Sequence, residues 1–326
     1  VLSFLLRRLA QSLAVLLAIS ILVFVMMYCL GDPVATLLPQ NASQRQRAEL
    51  RAALGLDRPL PVQYLIYVGN LLRGDFGLSY HQGRPVGEML AERAPATLEL
   101  ACVAVLFSVL IGVPLGVLAG ARARHPLSRL VLGGSLLGIS VPSFWLGLLL
   151  MMLFGVLLGW LPPMGRGRTV DFLGARWSLL TADGWRHIIL PALTLASYHT
   201  AMLIRLVRSE MAETLRQPFI RVCRARGLSE RSVIARHALR NTLIPTVTVI
   251  GLQFGGLLAF SVVTEHIFQW PGLGKLLIDS VQVDRPVVVT YLILTGVLFL
   301  AINFVVDLTY ALIDPRIRWS AARSEP

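Results

Sequence analysis

LELACVAVLFSVLIGVPLGVLAGA, residues Leu98–Ala121, carries one charged side chain, Glu99, near its start and one proline, Pro114, within it. At about 1.5 Å of rise per residue this run is long enough, as a helix, to cross a hydrocarbon core about 30 Å thick. Five further stretches read the same way: Leu9–Leu30, Leu130–Gly159, Ile188–Val207, Thr242–Thr264 and Val287–Ile313. The third is long enough to tilt or break, and Pro142 is the expected break. The fourth is interrupted by Pro191 and His199, the fifth contains Gln253 and the Gly255–Gly256 pair, and the sixth holds Asn303 and Asp307 late in its course. The spacing therefore predicts an all-α polytopic membrane protein with six spans.

Composition agrees. Hydrophobic residues are 55% of the 326 positions and charged residues 15%, with a mean hydropathy of +0.68. Soluble domains carry about 25% charge, so a soluble or disordered chain is excluded. The net charge is +12, and Lys275 is the single lysine among 30 basic residues. Such a balance in a soluble protein would suggest nucleic acid. In a membrane protein it follows from arginines collecting in inner loops, and no nucleic-acid partner is expected.

With the N-terminus inside, the inner segments 1–8, 122–129, 205–241 and 314–326 hold 17 basic residues in 66 positions. The outer segments 31–97, 160–187 and 265–286 hold 13 in 117. The inner density is about twice the outer, which favours both termini on the cytoplasmic side. Trp160, Trp177, Trp185 and Trp270 fall in outer segments near span ends, where interfacial anchors sit. The basic pair Arg7–Arg8 before the first run suggests a signal peptide, but the run exceeds a ~7–15-residue signal core and reads as a retained span. The organisation expected is a first helix with a long outer segment (1–97), a five-helix core with an inner loop at 208–241 (98–313), and a tail (314–326). Within the outer segment, Arg45–Leu56 is expected to form an amphipathic helix on the membrane surface.

The chemistry absent narrows the function. A phosphate-binding loop ends in Gly-Lys-Ser/Thr, and the only lysine lies in Gly274-Lys275-Leu276. The six histidines are isolated, with no metal-ligand spacing. Three cysteines are too few for a disulfide framework, with a Cys29–Cys102 bridge left open. Glu99 and Asp307, the only acids inside spans, lie near opposite membrane faces, so a paired catalytic site is not expected. No internal repeat of the kind inverted-repeat transporters carry is visible.

The chemistry present lies in the inner loop Arg208–Pro245. A helix is expected to end at Gly227, where glycine takes the left-handed conformation. Ser229 is a suitable N-cap, and Glu230 places negative charge at the next helix's positive end. In that short helix Val233, Ile234, His237 and Ala238 form one face, with Arg231, Arg236 and Arg240 around the other. From pattern alone, a docking elbow for a cytoplasmic partner and a set of arginines that merely fix topology explain the loop equally well.

The residues Arg221-Val-Cys-Arg-Ala-Arg-Gly227-Leu-Ser229, then Arg236-His-Ala-Leu-Arg-Asn241 and Ile244-Pro245, resemble the EAA loop of ATP-binding-cassette importer permeases of the dipeptide/oligopeptide/nickel branch. The departures are Val222-Cys223 for Thr-Ala and Arg226 for lysine. The resemblance extends along the chain through Gly31-Asp32-Pro33, Gly74-Asp-Phe-Gly-Leu-Ser79, Pro95-Ala-Thr-Leu-Glu-Leu100, Gly159-Trp-Leu-Pro-Pro-Met-Gly165, Phe268-Gln-Trp-Pro-Gly-Leu-Gly274 and Asp314-Pro-Arg-Ile-Arg318.

It implies a type I importer permease in a bacterial cytoplasmic membrane. Such a subunit pairs with a second, similar permease, two cytoplasmic ATPases that bind ATP and Mg, and an extracytoplasmic solute-binding protein. The chain itself would hold no cofactor or metal and carry no catalytic residue. Coupling to the ATPase would fall to Gly227, Leu228, Ser229, Glu230, Arg231, Val233, Ile234, His237 and Arg240, with Glu230 and Arg231 as surface contacts and Val233 and Ile234 facing the partner or membrane lipid. The pathway and its outer gate would run beside the fifth span, through Gln253, Gly255, Gly256, Ser261, Glu265 and Trp270. The rival readings are a self-sufficient secondary transporter or channel, and a structural membrane subunit with no pathway. The inner elbow favours the importer, and the lack of paired buried charges disfavours the secondary transporter.

Overall fold

A computed structural model describes residues 2–29, 34, 38, 42–53 and 55–313. The tail expected at 314–326 lies outside the described residues. Each apolar run forms a helix: α1 Leu2–Cys29, α4 Val86–Ala121, the pair α5 Pro126–Ser140 and α6 Ser143–Leu150, α7 Ala182–Thr214, α10 Leu239–Ile267 and α12 Arg285–Ile313. Shorter elements join them: α2 Gln44–Ala53, α3 Leu60–Leu72, a hairpin of β1 Val170–Phe172 and β2 Ala175–Trp177, α8 Pro218–Ala225, α9 Glu230–Ser232 and α11 Leu273–Ser280. Among the described residues five helices are long and apolar enough to span a bilayer, six when α5 and α6 with its extension count as one.

The third span breaks at Pro142 as its sequence predicts. The two halves meet at 106°, and α6 continues through a wide π-helical turn, Met151–Leu157. Other prolines do not interrupt their helices. α4 runs through Pro95 and Pro114, and α7 through Pro191. In lipid a helix has no competing water for its backbone, and neighbouring helices re-satisfy the freed groups. α4 and α7 have 36 and 33 residues, about 50 Å each, so their ends reach beyond the hydrocarbon.

The chain divides into two compact units, Val1–Arg93 with Leu276–Leu300, and Ala94–Lys275 with Ala301–Pro326. In the first unit α3 lies on α1: the Ser20 and Tyr64 hydroxyls are 2.8 Å apart, and Phe24 meets the Tyr64 ring edge-on at 5.3 Å. Asp284, buried, accepts the Ser79 hydroxyl and the Tyr80 N–H, fixing the Gly74–Ser79 segment. α2 starts with a reciprocal cap, Ser43 N–H to Gln46 and Gln46 N–H to Ser43. Along α2 Leu50 alone among the described side chains is partly covered.

In the second unit Gly112, Gly116 and Gly120 form a ridge along one face of α4. A Cβ on them would stand 2.9 Å from Leu203 Cβ, 2.7 Å from Val207 Cβ and 2.7 Å from the Arg208 carbonyl oxygen. Side chains there would force α4 and α7 apart, which is why small residues at four-residue spacing mark close helix crossings. Nearer the start of α4, Leu100, Val103 and Ala104 pack with Ile188, Ala192 and Leu195 of α7, Leu257 of α10 and Trp270.

Candidate functional site

The Arg208–Pro245 elbow is built from local signals. α8 ends in a Schellman motif: Gly227, at φ +78°, donates to the Arg224 carbonyl (2.9 Å), and Leu228 N–H reaches back to Cys223 (3.3 Å). Ser229 then caps α9 through its hydroxyl, which accepts from Ser232 N–H. Arg224 grips Glu230 at 2.6 Å across the turn. Both partners are half-exposed, so this pair is worth no more than about 1 kcal/mol and serves to set direction.

The elbow is pinned from beneath. Val233 and Ala238 are buried with Met211 of α7 and Ile220 of α8, and Val117 of α4 packs on the same cluster. Val233 had been expected to face a partner or lipid; the structure instead uses it as the peg that seats the elbow on its own helices. Residues Val233–Ala238 form a π-helical turn leading into α10. Ile234 and His237 are half-covered, while Leu228, Ser229, Glu230, Arg231 and Arg240 are exposed. The exposed edge therefore combines Leu228 with the polar and charged Ser229, Glu230, Arg231 and Arg240, and its aim is set by a buried apolar foot.

The residues expected along the outer gate are held otherwise. Glu265 and Trp270 are fully buried. The Glu265 carboxylate accepts the Thr97 hydroxyl (2.8 Å) and the Lys275 N–H (3.0 Å), Leu273 N–H binds Thr97 Oγ1 (2.8 Å), and Trp270 Nε1 donates to the Ala96 carbonyl (2.8 Å). The Phe268–Lys275 turn leaves N–H groups that no helix satisfies, and a carboxylate is the acceptor that closes it. A Cβ on Gly272 would collide with that carboxylate, and one on Gly274 would collide with the Val262 backbone. Trp270 is thus not an interfacial anchor, whereas Trp160 is exposed and Trp185 partly so.

Of the remaining candidates, Ser261 bonds its own helix at the Leu258 carbonyl. Gly255 is buried, and Gly256 has open space where a Cβ would stand. The close approach on α10 is made by Gly251, where a Cβ would lie 2.5 Å from Val306. Gln253 on α10 and His199 on α7 meet where these two helices pack, although Gln253 Nε2 and His199 Nδ1 are each buried without a well-formed hydrogen bond.

One polar site escaped sequence reasoning. Glu99 and Arg166, both buried, pair at 2.7 Å. Glu99 also accepts the Ser178 N–H and hydroxyl and the Leu179 N–H, and Arg166 donates to the Arg176 carbonyl at 2.6 Å. The arginine lies 5.9 Å over the Trp270 ring. This network ties the β hairpin to α4. Its partners are 67 positions apart, and the only signal was an acid inside an apolar run.

Residues 112–319 match the family described as "Binding-protein-dependent transport system inner membrane component", and residues 1–101 match its N-terminal counterpart, "Binding-prot-dependent transport system membrane comp, N-term". The chain is 42% identical over 321 residues to the Glutathione transport system permease protein GsiC of Salmonella paratyphi A, covering 98% of this chain and 99% of that protein. It is 40% identical over 323 residues to the Oligopeptide transport system permease protein AppB of Bacillus subtilis, covering 97% and 99%. Among solved structures it resembles an inward-facing form of the MetNI methionine ABC transporter, with a TM-score of 0.57 at 20% identity over 69% of this chain and 96% of that one. An amino acid ABC transporter aligns with a TM-score of 0.51 at 16% identity over 69% and 94%.

Proposed function

The chain belongs to the binding-protein-dependent transport system inner membrane components and is a permease subunit of an ATP-binding-cassette importer, and from that premise we propose that its solutes are peptides or peptide-like compounds, glutathione among them. The substrates in the names of the full-length relatives support this reading. The subunit forms the pathway with a second permease, receives solute from an extracytoplasmic binding protein, and takes its energy from two cytoplasmic ATPases that hold ATP and Mg. On this reading the ATPase site lies in the partners, since a phosphate-binding loop ends in Gly-Lys-Ser/Thr and the single lysine of this chain stands in Gly274-Lys275-Leu276.

Coupling runs through the Gly227–Arg240 elbow. The observation that carries this is its construction, a buried foot at Met211, Ile220 and Val233 beneath an exposed edge at Glu230 and Arg231. A push on the edge is transmitted to α7 and α10, because Val233 is buried against Met211 of α7 and the Val233–Ala238 turn runs on into α10. The ATP-bound ATPases must favour the outward-facing arrangement of those helices, since a partner with equal preference for both states shifts neither. Both termini and the elbow lie on the cytoplasmic side of a bacterial inner membrane.

The test is reconstitution. Proteoliposomes carrying the four membrane-associated subunits and the binding protein are expected to accumulate radiolabelled glutathione or a tripeptide only with ATP. Uptake is expected to stop when a partner ATPase loses its phosphate-loop lysine. Uptake by this chain alone, driven by an ion gradient, would promote the secondary-transporter reading in its place.

A further inference from the structure

Most of α7 is enclosed. Of its residues between Ile188 and Ser209, the exposed ones are Tyr198, Met202, Arg205 and Ser209. Their spacing of four, three and four places them on one helical face. That face lines a cavity of about 600 Å³ whose other wall comes from Leu132 and Ile139 of α5. The volume is that of a small-molecule site, and so is the lining: mainly apolar and aromatic, with a few polar groups converging at one end. Those groups are Arg205, Arg208 and Ser209.

No acid lines this cavity, and no carboxylate pairs with Arg205 among the described residues. The Nε of Arg208 is buried with no hydrogen-bond partner. An arginine at the inner end of a span ordinarily snorkels its charge to the interface at little cost, and that leaves a buried guanidinium Nε without a partner unaccounted for. Two guanidiniums without an acid between them raise the local concentration of anions. Their planar forks suit a carboxylate, which offers two oxygens to two donors.

We propose that this α5–α7 cavity is an inner segment of the solute pathway and that Arg205, backed by Arg208, receives the carboxylate of the passing solute. Tyr198 and Met202 supply the apolar contact for its side chains. This rests on the importer reading above and adds to it a site and a chemical class: solutes bearing a free carboxylate. It also moves the pathway from the fifth span to the exposed stripe of α7.

The test reads the cavity without knowing the solute. In a chain whose three cysteines are replaced by alanine, Met202→Cys is introduced and the assembled importer is placed in proteoliposomes. Two small thiol reagents are compared, the anionic sulfonatoethyl and the cationic trimethylammonioethyl methanethiosulfonate, each scaled to its rate with free mercaptoethanol. The anionic reagent is expected to react about tenfold faster, as a cationic cleft focuses anions. Arg205→Gln is expected to bring the ratio close to one, and Arg205→Lys to preserve most of it. Ser209→Cys is the second reporter, with the same expectation, should the first variant not assemble.

Failure of both reagents to react in every nucleotide state means that the cavity is filled by lipid or sealed by the second permease, and overturns the proposal. An unchanged ratio in Arg205→Gln removes the arginine's role and overturns it as well. ATP-driven uptake measured on the same proteoliposomes reports separately on the importer reading: uptake intact with no labelling leaves that reading standing and this one not.

Discussion

Gly116 of α4 lies against Val207 of α7 so closely that a Cβ on the glycine would stand 2.7 Å from the valine Cβ. The contact continues one turn each way at Gly112 and Gly120 and locks together the two longest helices among the described residues. Gly116→Val must therefore separate α4 from α7 or distort them. Overpacking of this kind costs about 1–3 kcal/mol when a site can relax and more when backbone stands in the way, and here the Ile204 carbonyl is also in reach. The solubilised variant is expected to lose its monodisperse peak in size-exclusion chromatography. Gly256→Ala is the matched control, because a Cβ there meets nothing within 4 Å. A monodisperse Gly116→Val protein would show that the ridge is not a tight contact.

The Glu99–Arg166 pair makes a second prediction, about the β1–β2 hairpin. Removing one partner of a buried ion pair costs about 3–5 kcal/mol, because the other is left charged in a poor solvent. Arg166→Gln and Glu99→Gln are each expected to lower the melting temperature of the purified complex and to expose the Arg168–Arg176 strand pair to trypsin. The double variant is expected to cost less than the two singles together. Additive losses would mean that the two side chains do not act as a pair.

The reach of the sequence follows from how far apart the cooperating residues stand. The spans, the break at Pro142, Gly227 in the left-handed region and the Ser229 cap each depend on neighbours within a turn or two, and were legible. The glycine ridge needed a three-dimensional partner to gain meaning, since Gly112, Gly116 and Gly120 look like any small residues in an apolar run. Glu265 and Trp270 were read as gate residues because they are polar or aromatic near a span end. Their actual partners, Thr97 and Ala96, lie about 170 positions away. α3 went unread because its 13 residues, begun at Pro59–Leu60–Pro61, are too few to span a membrane.

Orientation is the third prediction, motivated by 17 basic residues in 66 inner positions against 13 in 117 outer ones. Single cysteines at Ala48 and Ala235, both exposed, report on the two faces. In intact cells an impermeant maleimide is expected to label Ala48→Cys and leave Ala235→Cys unlabelled until the membrane is opened. The reverse pattern would invert the topology and put the elbow on the wrong side for a cytoplasmic ATPase.

The elbow itself carries the sharpest expectation. Gly227 sits at φ +78° with open space around it, so a substitution there meets a backbone penalty and no steric clash. A β-branched side chain in the left-handed region costs about 1–2 kcal/mol, and relief comes from rotating the turn. That rotation would break the Leu228 to Cys223 hydrogen bond and re-aim Glu230 and Arg231, while Val233 stays seated at Met211 and Ile220. Gly227→Val is therefore expected to insert and assemble, yet to lose uptake together with substrate-stimulated ATP hydrolysis. Asparagine tolerates the left-handed conformation, so Gly227→Asn is expected to retain much of the transport rate. Equal loss in both variants would point to the missing glycine surface and not to the turn geometry. A Gly227→Val complex that couples hydrolysis to uptake at the normal rate would reduce the arginines of this loop to determinants of topology.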